Sequence, residues 1–513
     1  MGILCIVVIG FVIYVNFSYY YDFLHADIAA DLAFVREAAR TLSLFPQGWL
    51  HLNEMRFFYI TTPILLLYII IGNINLSYKL VVTFMLLVNV FLFWWAFKGS
   101  RLIATFVGII VFIIAFSGYY LFSVFDILWI NASLSTHLAT VLFTIGAYTR
   151  LHGNRKIHIT LVVLAIIFAF LQGVQSIRVT IALYLPMLFV ALYPLSKSIF
   201  SKQKLYLTSS RSFAVLLFLS NIAGILLIQI FIRNGTVLLG YESTTTGLRL
   251  ASARDIFNGD LMFSMAGVLE SLQFHGDIYV FSQEGILHLS RIVFLAFIFI
   301  LFFNAKKTTH VKELLFFLLC SVIFLFLSQV ITQGIGMGGR LNFTITTFLA
   351  FLSIVVVDQM VKHNRYTISF IFCSFVCFIV ILSISNFGLH RNHSLVNDRI
   401  AASNFIVEQG LTLGYGHFWT GMPVAAVSNY QFVIIPLHHT EDIFGETFSQ
   451  GVSIYDFARQ VDQSFILAPE IEFYWAFRQN TTIANLMNLG QRHQFGDIVV
   501  YVFDHDPFEN QRR

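Results

Sequence analysis

The feature that most constrains this chain is a succession of apolar runs, each close to the ~20 residues a helix needs to cross the hydrocarbon core of a bilayer. They fall at about 80–97, 102–122, 133–149, 157–174, 179–195, 212–232, 289–304, 313–332, 341–357 and 367–385, after an opening run "MGILCIVVIGFVIYVNF". In hydrocarbon every backbone N–H and C=O has to be satisfied within its own segment, so such runs specify helices. Composition agrees: 58% of residues are hydrophobic, 11% are charged and the mean hydropathy is +0.78, whereas soluble domains carry about 25% charged residues. The expected fold class is an α-helical polytopic membrane protein with about eleven transmembrane helices.

Charge gives the runs a direction. Short basic loops alternate with the others: Lys98/Arg101, "RLHGNRK" at 150–156, Lys197 to Arg211, "KKTTHVK" at 306–312 and "KHNR" at 362–365. The positive-inside rule puts all five in the cytoplasm. Of 27 Asp and Glu, only Glu313 and Asp358 then lie inside. Parity allows one crossing between the acids of residues 19–58 and Lys98, yet two apolar runs lie between them. The first, 57–74, contains Pro63 and ends in "GNIN", and is expected as a juxtamembrane or re-entrant helix.

The resulting layout is a transmembrane domain at 1–385 with a cytoplasmic N-terminus and two large outer loops, 18–79 and 233–288. An extracytoplasmic α/β domain follows at 386–513, with "FVIIPL", "FILA" and "DIVVYVF" as strands and helices near 397–409 and 482–490. The opening run lacks a basic n-region and a small-residue cleavage site, so it is expected as a retained span. A net charge of +4 gives no reason to expect nucleic acid as a partner. Cys5, Cys320, Cys373 and Cys377 all sit in apolar runs and form neither a disulfide framework nor a metal cluster.

The residues that could carry chemistry gather toward the outer face. Within "YYYDFLHADIAADLAFVREAARTLSLFPQGWLHLNEMRFF", Asp27 and Asp31 are four apart in an alanine-rich helical stretch, which puts both carboxylates on one face. A partly desolvated carboxylate can act as a general base; the alternative is a solvated helix with one acid as its N-cap. Glu54 has a catalytic and a structural reading of equal weight. Arg178 and Arg340 occupy outer span ends, where basic residues are scarce. Their guanidinium forks match phosphate oxygens, the alternatives being snorkelling or pairing with an acid of the opening loop. His137 either bonds a sugar or phosphate or packs as a satisfied histidine. In the tail, "GYGHFW" with Tyr415, His417 and Trp419 is either an aromatic sugar surface or ordinary core.

One span, an outer loop containing "HAD", then "WLHLNE", a re-entrant helix, an eleven-span body and an outer tail containing "LTLGYGHFWTGMPVAAVSN" together resemble bacterial membrane glycosyltransferases of the GT-C superfamily. That resemblance implies a polyprenyl-phosphate-linked sugar donor, a glycan or lipid-linked acceptor and membrane lipids as partners, with inversion at the anomeric carbon. It implies Asp27 as the catalytic base and Arg178 and Arg340 as the grip on the donor phosphate. Asp31, Glu54 and His137 would position donor or acceptor, and Tyr415, His417 and Trp419 would contact sugar. "DIAAD" is wider than an Asp-x-Asp motif, so a divalent cation, Mg or Mn, is left open. The expected location is the bacterial cytoplasmic membrane. Rival expectations are an O-antigen polymerase or ligase working from the loop 233–288, and a non-enzymatic lipid-glycan flippase or transporter.

Overall fold

A computed structural model of the chain describes residues 1–44, 46, 49–51, 60–97, 101–115, 128–129, 135–152, 159–175, 177–201, 209–234, 238–239, 265, 269, 281–303, 309–331, 343–389, 393–437, 450–451, 463–469 and 485–508. Every expected apolar run carries a helix. Among the described residues six helices are long and apolar enough to cross a membrane: Ile74–Phe97, Ser210–Arg233, Gln283–Phe303, Val311–Ser328, Thr344–Lys362 and Tyr366–Phe387. Shorter apolar helices are Gly2–Ser18, Thr61–Ile71, Leu102–Ala115, Ile159–Gln175 and Thr180–Tyr193. Many of their large apolar side chains remain exposed, among them Ile3, Phe84, Ile159, Leu226 and Phe370. Lipid accounts for that exposure, and the chain is an integral membrane protein.

The contacts divide the chain into two compact units. One comprises Met1–Ser18, Val82–Gln229 and Gly247–His390 and is built from apolar helices packed on one another. The helix Leu102–Ile110 lies along Phe343–Lys362, with Gly108 so close to Ile354 that an added Cβ would fall 2.4 Å from its Cγ1. Phe93 stacks on Phe112 with ring centroids 4.4 Å apart, and Phe112 meets Trp129 edge-on. Arg291, 1% exposed, donates from Nε to the Ala115 carbonyl at 3.0 Å. A buried guanidinium in an apolar body needs such a partner.

The other unit comprises Tyr19–Val81, Ile230–Thr246 and Arg391–Arg513. Its strands are β1 (Trp49–His51), β2 (Leu238–Leu239), β3 (Leu413–His417), β4 (Val433–Leu437), β5 (Gln450–Gly451), β6 (Ser464–Pro469), β7 (Gln491–Phe495) and β8 (Ile498–Phe503). The larger sheet has the order β4-β3-β6-β8-β7, parallel from β4 to β6 and antiparallel from β6 to β7. The helix Phe418–Val427 joins β3 to the parallel β4, as a parallel pair requires, because no tight hairpin can connect two strands running the same way. Leu413, Tyr415, Ile435, Ile466, Ala468 and Val499 fill its core. A second small sheet, β2-β1-β5, ties three distant segments of this unit together. Most of 233–288 lies outside the described residues.

Candidate active site

The helix Ala26–Thr41 carries the acids. Alanines at 26, 29, 30 and 38 give it high intrinsic helicity. His25 caps it: its Nδ1 accepts from the Asp27 amide at 3.2 Å, which fixes the neutral tautomer with the proton on Nε2. Leu42, at φ 50°, closes the other end with its amide turned to Ala38 and Ala39. Asp27 lies in the first turn, where the helix dipole favours a negative charge. It is half-buried, whereas Asp31, one turn on, is 3% exposed. The spacing of four thus puts both acids on one face, as expected. Glu37, further along, pairs with Arg40 at 2.6 Å.

The small residues of this helix let other segments of its unit come close. The helices Thr61–Ile71 and Phe418–Val427 both pack on it. Arg399 donates from Nη1 to the Leu24 carbonyl at 2.9 Å, one residue before the cap. Burial pushes its guanidinium down to about 10, and the charge of Asp22 works against that shift. Asn75 accepts from the Tyr20 hydroxyl at 2.9 Å, and its amide donates to Asn429 Oδ1 and the Ala426 carbonyl. Tyr430 donates its hydroxyl to the Ala29 carbonyl, midway between the two acids in sequence. Lys79 places its ammonium 5.0 Å and 5.2 Å from the Tyr20 and Tyr21 ring centroids, a cation–π geometry. The sequence reading passed over Lys79, although a cation beside the acidic loop departs from the positive-inside bias just as Arg178 and Arg340 do.

His137 belongs to the other unit and is 1% exposed. Its Nδ1 meets Gln172 Oε1 at 2.5 Å and its Nε2 meets Gln175 Nε2 at 3.4 Å, while Gln172 donates to Thr140 Oγ1 at 3.1 Å. One neutral tautomer, protonated on Nδ1, makes every link of this relay a donor–acceptor pair. Both ring nitrogens of His137 thus have partners within its own unit. Arg178 lies in the helical turn Ile177–Val179 of the same unit, just before a wider π-helical turn at Thr180–Tyr184. Such turns recur at functional sites.

Glu54 and Arg340 lie outside the described residues, as do the side chains of Arg178, His417 and Trp419. Tyr415 is fully buried in the sheet core and donates to Asp506 Oδ1 at 2.9 Å. It is core and presents no face to a sugar. Tyr415→Phe is accordingly expected to lower stability by about 1–2 kcal/mol through the lost hydrogen bond and to leave sugar transfer unchanged, which thermal unfolding and surface-glycan analysis would check. Among the described residues no three His, Cys, Asp or Glu gather closely enough to hold a metal ion.

No family model matches the chain, and neither does any curated protein sequence. Solved structures do. The crystal structure of ArnT from Cupriavidus metallidurans bound to undecaprenyl phosphate matches at 11% identity and a TM-score of 0.56, over 98% of this chain and 97% of that one. The apo structure of ArnT from the same organism matches at 9% identity and a TM-score of 0.57 over the same shares. The chain has the fold of these two ArnT structures. At 9–11% identity the match assigns no residue a role.

Proposed function

We propose that this chain is a membrane glycosyltransferase. It moves a sugar from a polyprenyl-phosphate-linked donor to a cell-envelope glycan or lipid-linked acceptor, at the outer face of the bacterial cytoplasmic membrane. The observation that carries this reading is the ArnT fold over 98% of the chain, together with two carboxylates on one face of a capped helix. In this reading the N-terminus is cytoplasmic and the unit holding the acids and the C-terminal sheet is extracytoplasmic.

Asp27 takes the proton of an acceptor hydroxyl. The oxygen attacks the anomeric carbon from the face opposite the phosphate, the bond from that carbon to the phosphate oxygen breaks, and polyprenyl phosphate leaves with the electron pair. Configuration inverts. Arg178, Arg340 and Lys79 stabilise the charge growing on the departing phosphate. Asp31 and Glu54 orient the acceptor, and His137 shapes the donor side through its relay to Gln172 and Gln175.

Deleting the chain from its host is expected to remove one sugar from the envelope and to raise the pool of the corresponding polyprenyl-phosphate-linked sugar. Mass spectrometry of the lipid extract reads both effects. An unchanged lipid-linked pool with an unchanged envelope would sink the reading.

A further inference from the structure

Tyr430 lies 401 residues from Ala29 in sequence, yet its hydroxyl is seated in the backbone of the acid-bearing helix. The hydroxyl donates to the Ala29 carbonyl and faces the Ala33 amide. In an α-helix those two groups are the i and i+4 partners of a single ladder bond, so the phenol joins the turn that contains Asp31. Tyr430 is 4% exposed and Asp31 3% exposed. Burial first, and the Asp31 charge second, push the phenol well above its ordinary range, so it keeps the proton it donates.

The chain accepts an uncommon backbone to put Tyr430 there. Asn429 and Tyr430 have φ of 55° and 57°, the left-handed region that a bulky L-residue avoids. Two consecutive residues of this kind end the helix Phe418–Val427, with the Tyr430 amide donating back to the Ala425 carbonyl at 2.9 Å. Asn429 Oδ1 receives the Asn75 amide at 2.9 Å, which ties the same turn to the Tyr20 hydroxyl. Arg399 holds the Leu24 carbonyl just before the cap. Two side-chain ties from residues 391–513 therefore meet the acidic segment directly and a third reaches it through Asn75, and the tie at Ala29 lies between Asp27 and Asp31 in sequence.

We propose that Tyr430 is a positioning residue. Through its hydroxyl the C-terminal segment fixes the turn that carries Asp27 and Asp31, so that the tail acts as a clamp on the reactive carboxylates. The catalytic half of this inference rests on the proposed transferase function; the clamp itself does not.

The test uses the full chain in lipid nanodiscs, comparing wild type with Tyr430→Phe. The substitution keeps the ring and removes only the hydroxyl. Hydrogen exchange of residues 26–41 should quicken by about tenfold, the size expected for one lost buried hydrogen bond, with the sheet β4-β3-β6-β8-β7 unchanged. Binding of undecaprenyl phosphate should stay within about twofold, while sugar transfer to the envelope in intact cells falls by at least about tenfold, the scale of a small misplacement of reacting groups. A purely structural role would lower binding and transfer together. Unchanged exchange overturns the clamp, and quickened exchange with wild-type transfer overturns its catalytic role. If Tyr430→Phe does not accumulate, 4-fluorophenylalanine placed at position 430 decides by the same readouts, because it fills the space of the phenol and cannot donate to the Ala29 carbonyl. Asp27→Asn run in parallel separates the two levels. Normal transfer in that variant sinks the assignment of Asp27, and the exchange measurement then decides the clamp alone.

Discussion

Replacing Asp27 by Asn is expected to cut sugar transfer by about 10²–10⁴-fold, the range for loss of a positioned general base, while the protein accumulates normally in the membrane. Normal accumulation follows from the local structure. The cap of the helix Ala26–Thr41 runs from the Asp27 backbone amide to His25 Nδ1, so it does not involve the carboxylate that changes. Asn is nearly isosteric, and the half-buried site needs no repacking. Losing a first-turn charge that faces the helix dipole costs about 0.3–1 kcal/mol. Surface-glycan composition read beside membrane abundance checks the prediction. A normal glycan would remove Asp27 from the role of base and leave Asp31 as the acid to test. Asp31→Asn is a harder experiment, because a 3% exposed side chain beside Tyr430 affects folding and chemistry together.

What the sequence disclosed and what it hid follow from the range of the forces involved. The spans were legible because burial in lipid acts on every residue of a run. "FVIIPL", "FILA" and "DIVVYVF" were legible because β-branched and aromatic residues crowd them, and they are β4, β6 and β8. The interior strand β3 escaped notice because it reads "LGYGH". A Cβ on Gly414 would fall 2.2 Å from the Phe465 ring, and one on Gly416 would fall 2.8 Å from the Leu467 carbonyl. Close approach of neighbouring strands demands glycine there, at the expense of the propensity that marks a strand. The acid pair could be read from its spacing alone. The ties that hold it could not: Tyr430, Asn429 and Arg399 are single polar side chains, and nothing local connects them to residues 20–31. Tyr415 in "GYGHFW" stayed open between sugar surface and core because the inward alternation of Leu413 and Tyr415 means little until the strand is known.

Gly173→Val is expected to have the largest effect on the membrane unit, lowering its stability by about 3–5 kcal/mol, the sum of an overpacking cost and lost interhelical hydrogen bonds. A Cβ on Gly173 would lie 1.9 Å from the Asn221 carbonyl oxygen, and one on Gly224 would lie 2.1 Å from the Phe170 carbonyl oxygen. The helices Ile159–Gln175 and Ser209–Arg233 therefore meet backbone to backbone, each through the other's glycine. Backbone atoms cannot rotate away as a side chain can, so the helices must separate. Separation would break the bonds of Asn221, which is fully buried, donates to the Ala169 carbonyl at 2.9 Å and accepts from Thr180 Oγ1 at 2.5 Å. Native stabilities are only about 5–15 kcal/mol, so the variant should unfold several degrees lower in detergent or fail to accumulate. Gly10→Ala is the control: an added Cβ there meets nothing within 4 Å, and its melting temperature should match wild type. A Gly173→Val protein that melts with wild type would show that the crossing is looser than the backbone contacts require. A low-melting variant would also disturb Gln175, two residues on, and with it the His137 relay. Transfer measured below the lowered melting temperature would then report whether that relay contributes to donor binding or only to packing.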